Sequence, residues 1–277
     1  MTICIAAACE NKYVVVATDR MLTVYPLNIE FEADYAKTIE ITKNCVAMTS
    51  GSAIAFTPLF REVSAEILRE GTKDVDRIVE LIRMSYLKIR NKRAEEEVLF
   101  PIGLTLEKFY ENQQTLNQQV IATGLQNLAR YDYRLWLLVG GVDDKGAHIT
   151  RIENPGKILP YDSIGYHAIG SGESHALSTF IVSGYGPKAT LQRGLAVAFE
   201  AKKRSEKAPG VGAQTDMYVV TEGNTTHLPQ EAIKELNEIY EKRLEKEEKV
   251  FLEVEDMISR MNIQKRFGQP SGGQQSN

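Results

Sequence analysis

Two short apolar runs near the start of the chain do most to constrain its fold. Ile3-Cys4-Ile5-Ala6-Ala7-Ala8 and Tyr13-Val14-Val15-Val16-Ala17-Thr18 are rich in small and β-branched residues, and the turn-like Glu10-Asn11-Lys12 separates them. Two such runs with a polar break predict a β-hairpin. Thr38–Ile41 and Cys45–Thr49 read as further strands, the second ending at Ser50-Gly51-Ser52.

Helical spacing then takes over. Between Ala53 and Glu70, the residues Phe56, Leu59, Phe60, Val63 and Ile67 recur at steps of three and four, one apolar face of a helix that Gly71 ends. Asp74 is placed to cap a second helix carrying Val75, Ile78, Val79, Ile82 and Tyr86. Residues from about 91 to 119 hold the charge run Arg93–Glu97 and Asn/Gln-rich text, and read as a helical insertion. Strands return at Tyr133–Gly141, Ala147–Ile152 and Tyr166–Ile169, with Asp143-Asp144-Lys145-Gly146 as a turn. Two more helices are expected within Ser174–Val182 and Pro187–Arg204, and a last strand at Asp216–Val220. Strands, two helices, strands, two helices, strand is the order of an α+β protein whose sheets are flanked by helices, not of a βαβ repeat. Pro229 suits a first helical turn, and residues 229–267 are expected to hold a long amphipathic helix. The Gly/Gln/Ser-rich stretch 268–277 is expected to be disordered, leaving 1–228 as the main domain.

The net charge of -4 argues against a nucleic-acid partner. No apolar run approaches the roughly 20 residues that span a bilayer, and no basic segment followed by an apolar run marks a signal peptide, so a cytoplasmic protein without membrane partners is expected. Cys4, Cys9 and Cys45 are too scattered for a disulfide framework or a zinc site and read as buried thiols. His148, His167, His175 and His227 lack metal-ligand spacing, so neither metal nor cofactor is expected. Gly140-Gly141 reads as a strand end, with no following Lys-Ser/Thr to make a phosphate loop.

Thr2 opens the chemistry. Loss of Met1 would leave a hydroxyl and a free amine on one residue. An α-amine titrates at roughly 7.7–8.0, so near neutral pH it can act as base for its own hydroxyl. A Met-Thr start alone carries little; the following text carries more. Val14-Val15-Val16-Ala17-Thr18-Asp19-Arg20, Lys37-Thr38-Ile39-Glu40-Ile41, Thr49-Ser50-Gly51, Leu137-Leu138-Val139-Gly140-Gly141-Val142-Asp143, Ala168-Ile169-Gly170-Ser171-Gly172 and Asp216–Val220 occur in this order. Together these blocks resemble the proteasome β-subunit family of N-terminal-nucleophile (Ntn) hydrolases, over residues 2 to 228.

The resemblance implies a four-layer αββα sandwich and a threonine-type amidohydrolase, most simply a peptidase acting on a peptide or protein. It gives Thr2 the role of nucleophile. Asp19 and Lys37 would orient and polarise it, since a lysine cation disfavours protonation of the amine and helps ionise the hydroxyl. Gly51 would lend its N–H to an oxyanion, and Ser171 would relay protons beside the amine. It also implies a homo-oligomer, a ring among the options, with an unfoldase or regulatory protein as a further partner. For an isolated Asp and Lys, the plain alternative is a surface salt bridge worth ~0–1 kcal/mol.

One family motif is missing. Asp-x-x-Ser-Gly, whose side chains support the terminal amine, has no counterpart in Ser205-Glu206-Lys207-Ala208-Pro209-Gly210-Val211-Gly212, where Ser205 and Glu206 are the nearest substitutes. Three readings stay open from sequence: a peptidase, an amidase or transpeptidase on the same scaffold, and an inactive scaffold subunit that keeps Met1 and binds a partner through its C-terminal helix.

Overall fold

In the computed structural model the described residues are 2–24, 29–32, 36–51 and 53–261, with the side chains of 24 and 53–56 left aside. The chain divides into two compact units, Met1–Pro229 and Gln230–Asn277.

The first unit is mixed α+β with antiparallel sheets. One sheet has the strand order β10-β1-β2-β11-β12, from β1 (Ile3–Cys9), β2 (Tyr13–Asp19), β10 (Tyr166–Gly170), β11 (Thr215–Val220) and β12 (Thr225–His227). The other has the order β5-β6-β7-β8-β9, from β5 (Thr38–Thr42), β6 (Cys45–Gly51), β7 (Leu135–Asp143), β8 (Gly146–Glu153) and β9 (Lys157–Pro160). A two-stranded ribbon, β3 (Met21–Val24) with β4 (Ile29–Glu32), follows β2 directly. The expected hairpin forms, with Cys4 opposite Thr18 and Cys9 opposite Tyr13. Glu10 and Asn11 both take positive φ, 53° and 54°, and the Lys12 N–H donates to the Cys9 carbonyl at 3.0 Å. Positive φ at both central residues is the turn whose twist matches a hairpin.

β1 and β2 are continuous apolar runs, not alternating ones, because both their faces are covered. Cys4, Ala6, Val14 and Val16 meet Val46, Met48 and Leu138 of the second sheet. A Cβ on Gly140 would come within 2.9 Å of Val14 Cγ1, so that small residue sets how closely the sheets approach. The opposite face of β1 and β2 lies against α6 (Leu191–Ser205), with α5 (Glu173–Val182) packed beside α6. Cys45, Ala47, Leu137 and Val139 pack on α1 (Ala53–Glu70) and α2 (Val75–Ala94) through Leu59, Val63, Ile78 and Ile82. Truncating the fully buried Ile82 to Ala would cost roughly 2–5 kcal/mol. Asp74 caps α2 as expected, accepting from the Arg77 N–H at 2.9 Å.

Residues 91–119, expected to be a helical insertion, are helical over most of their length, and the helical stretch continues to Arg130. Helix α2 runs on to Ala94, a π-helical turn (Glu95–Leu99) and a 3-10 turn (Phe100–Ile102) follow, and α3 (Leu106–Glu111) and α4 (Gln118–Arg130) complete it. The charge run Arg93–Glu97 spans the end of α2 and the π-helical turn, and stays helical because Arg, Ala and Glu are good helix formers. Asn117 starts α4 by accepting from the Gln119 N–H at 2.8 Å. The short strands β3, β4, β9 and β12 were not expected.

The second unit carries α7 (Gln230–Arg260), about 46 Å of helix at 1.5 Å per residue. Arg243–Glu247 and Arg260–Asp256 pair along it at 2.9 and 2.5 Å. The tail expected to be disordered, 268–277, and the end of the 229–267 segment lie outside the described residues. No helix among the described residues is long and apolar enough to cross a membrane.

Candidate active site

The hairpin register makes the site. Because Cys4 faces Thr18, the residue before β1 and the residue ending β2 share one end of the sheet. Thr2 and Asp19 therefore meet: the Thr2 hydroxyl donates to Asp19 Oδ1 at 2.5 Å. Lys37, just before β5, enters from the other sheet. Its Nζ donates to Asp19 Oδ1 at 2.7 Å and also to the Thr2 hydroxyl oxygen. Thr2, Asp19 and Lys37 are 2 %, 0 % and 4 % exposed, so this is no surface ion pair. Burying two charges costs several kcal/mol each unless further bonds satisfy them.

Asp19 has those bonds. Oδ1 also accepts from the Ile3 N–H at 3.0 Å. Oδ2 accepts from the Met21 N–H at 3.0 Å and the Gly212 N–H at 2.9 Å. The carboxylate is thereby fixed from three chain segments, and its orientation carries over to Lys37 and Thr2. The neighbouring Arg20 points away, gripping the fully buried Asp216 of β11 with two bonds of 2.7 Å. That clamp ties the end of β2 to β11.

Ser171 closes the opposite side. Its Oγ accepts from Thr2 N at 3.2 Å and donates to the Pro209 carbonyl at 2.9 Å. Gly170 has φ +114°, and a Cβ there would stand 2.2 Å from the Thr2 carbonyl oxygen, so only glycine lets the turn wrap Thr2 this closely. Gly51 ends β6 opposite Leu135, two residues past Thr49, whose carbonyl lies 3.4 Å from Cys4 Sγ. No hydrogen bond among the described residues joins Gly51 to the other four. Four of the five expected site residues are thus directly linked, and the fifth stands at the neighbouring strand end.

The three cysteines are free and buried. Burial pushes the Cys4 thiol up to about 12, with Lys37 opposing, so the thiol beside Thr2 stays protonated and is no rival nucleophile. The histidines lie elsewhere. His148 sits between Asp162 and Asp143, each at 3.0 Å, and His167 stacks on Tyr161 with ring centres 3.7 Å apart.

Neither proposed substitute for Asp-x-x-Ser-Gly reaches Thr2. Glu206 pairs with Lys202 at 2.6 Å and Lys203 at 3.0 Å, and the Ser205 hydroxyl is directed at the Gly172 and Ala201 carbonyls. The loop instead offers main-chain groups, the Pro209 carbonyl and the Gly212 N–H. Sequence reasoning missed both, since a backbone donor or acceptor leaves no residue-type signal. Near the basic end of α6, Lys202 is fully buried.

No protein-family model matches the chain, and no curated protein matches it.

Proposed function

We propose that the chain is a threonine-type N-terminal-nucleophile amidohydrolase of the proteasome kind, acting on peptide bonds. The observation that carries this reading is the buried hydroxyl–carboxylate–ammonium group of Thr2, Asp19 and Lys37, with Ser171 at the Thr2 nitrogen. A structural ion pair has no need of a threonine hydroxyl bridging both partners.

The chemistry needs Met1 removed, which turns the Thr2 nitrogen from an amide into an amine 3.2 Å from Ser171 Oγ. Lys37 stabilises negative charge developing on Thr2 Oγ1 as it attacks the amide carbonyl. The hydroxyl proton passes to the α-amine and then to the departing amine, leaving an ester on Oγ1. Water, deprotonated by the same amine, attacks the ester; acid is released and the hydroxyl restored. The Gly51 N–H is assigned to the oxyanion at both steps. Against the inactive-scaffold reading, the loop that lacks the motif still bonds the site through its backbone, the Pro209 carbonyl at Ser171 and the Gly212 N–H at Asp19.

The packing supports the αββα arrangement of four layers, with α1 and α2 on one sheet, α5 and α6 on the other, and the inner faces in contact. Assembly as a homo-oligomer belongs to the same proposal. Intact-mass analysis of protein that cleaves a peptide library tests it: the mature chain should start at Thr2, and Thr2→Ala should abolish cleavage while the fold persists. Cleavage by protein that still carries Met1, or by the Ala variant, would sink the assignment.

A further inference from the structure

The loop from Ser205 to Ala213 reaches the site at two points, through the Pro209 carbonyl on Ser171 and the Gly212 N–H on Asp19. A loop holding two glycines, Gly210 and Gly212, and bonding through its backbone needs something to set its shape. Lys202, in the last turn of α6, supplies it. Its Nζ donates to Glu206 Oε1 at 2.6 Å, where the loop begins, and to the Ala213 carbonyl at 2.6 Å, where it ends. The whole residue is 0 % exposed.

We infer that Lys202 is a positioning residue for the Thr2 site, clamping the two ends of the 205–213 loop so that Pro209 and Gly212 hold Ser171 and Asp19 in their working orientations. This rests on the reading of Thr2 as nucleophile. A salt bridge serving stability alone would gain by lying at the surface, where neither charge is stripped of water; a buried lysine tied to a main-chain carbonyl incurs that cost. Burial lowers the affinity of Lys202 for its proton, and Glu206, with a smaller contribution from Asp19, opposes this. Lys203 completes the local set, sharing Glu206 at 3.0 Å. Lys202 cannot touch a ligand, so its influence runs through the loop.

The test is acylation of the full-length protein with a free Thr2 amine by a β-lactone, followed by intact mass. Addition of Thr2 Oγ1 to the lactone carbonyl forms an ester and breaks the ring C–O bond, and the hydroxyl proton ends on the released alkoxide. Varying the lactone concentration separates the limiting rate from half-saturation. Lys202→Met keeps the stem volume and removes both bonds. The limiting rate should fall on the order of tenfold or more, since a misplacement of about 1 Å by a remote substitution can cost about 10²-fold, with half-saturation unchanged. Deuterium uptake at Gly212 should rise in the same variant. Glu206→Gln, at a partly exposed position, should shift both readouts the same way and decides the matter if Lys202→Met does not fold. Folded variants with the parent's limiting rate would make Lys202 structural only, and so would a loss confined to half-saturation. A parent that is not acylated, or a Thr2→Ala variant acylated equally well, would overturn the nucleophile reading itself, and the role of Lys202 with it.

Discussion

A Cβ built on Gly51 would stand 2.1 Å from the carbonyl oxygen of Arg134. Gly51 has φ +109°, and Arg134 itself sits at φ 53°, so neither backbone can easily give way. Gly51→Ala is therefore expected to push apart the end of β6 and the start of β7, costing more than about 1 kcal/mol. The N–H assigned to the oxyanion would move with it, and loss of one such donor lowers turnover by about 10²–10³-fold. Thermal melting and peptide turnover measured together check this. A variant with parental values for both would remove Gly51 from the site.

Lys37→Met should be severe for activity and moderate for stability. It removes the cation that bonds both the Thr2 hydroxyl and Asp19. Breaking a buried pair costs about 3–5 kcal/mol when the remaining charge is left bare. Asp19 keeps the N–H groups of Ile3, Met21 and Gly212, which places the loss at the low end. Turnover should drop about 10²–10⁴-fold, the range for groups that manage a transferred proton. Lys37→Arg should not restore it, because a planar fork cannot replace a compact ammonium between two oxygens. Turnover within a few-fold of the parent in either variant would make Lys37 structural.

What the sequence revealed, and what it hid, follows the same physics. Asp19 was singled out by the resemblance of Val14–Arg20 to a family motif, and the hairpin register is what brings it to Thr2. Ser171 came into view only through the resemblance of Ala168–Gly172 to a family motif, since a Gly-Ser-Gly sequence is equally that of an ordinary turn. The Pro209 carbonyl and the Gly212 N–H were not legible, since any residue carries those groups. Strands β4 and β12 hid because their side chains are largely exposed and so carry no apolar pattern. The burial of Lys202 is set by what folds over it, which one helix's sequence does not state.

Removal of α7 should spare the fold of the first unit. Among the described residues, the core clusters on the two faces of the second sheet draw only on Met1–Pro229. A cut after Leu228 also retains the Leu228 N–H bond to the Met217 carbonyl, 2.9 Å. The truncated chain is expected to stay soluble and melt cooperatively, and, if the proposed homo-oligomer depends on α7, to assemble with fewer subunits by light scattering than the full-length chain. An unchanged number of subunits would exclude an essential assembly role for α7. An insoluble product would mean that the first unit needs it to fold.

His148 gives the chain a stability component that fades in alkali. Its bonds to Asp162 and, less strongly, Asp143 outweigh burial and raise it from 6.5 to about 9. The imidazolium ties β8 to Asp143, which also accepts from the Val75 N–H at the start of α2 at 2.9 Å. The folded state holds this proton more tightly than the unfolded chain does. The contribution is therefore fully present below pH 6.5 and is lost as pH rises through about 9. Each tenfold gain in proton affinity is worth about 1.4 kcal/mol. The exposure of Asp162 screens part of it, leaving roughly 1–2 kcal/mol. Denaturant midpoints of the parent and His148→Gln should thus differ most near pH 6 and converge by about pH 10, the folded group then being deprotonated. A gap that stayed constant with pH would show that His148 acts through packing and hydrogen bonding alone, with no charge held between the two aspartates.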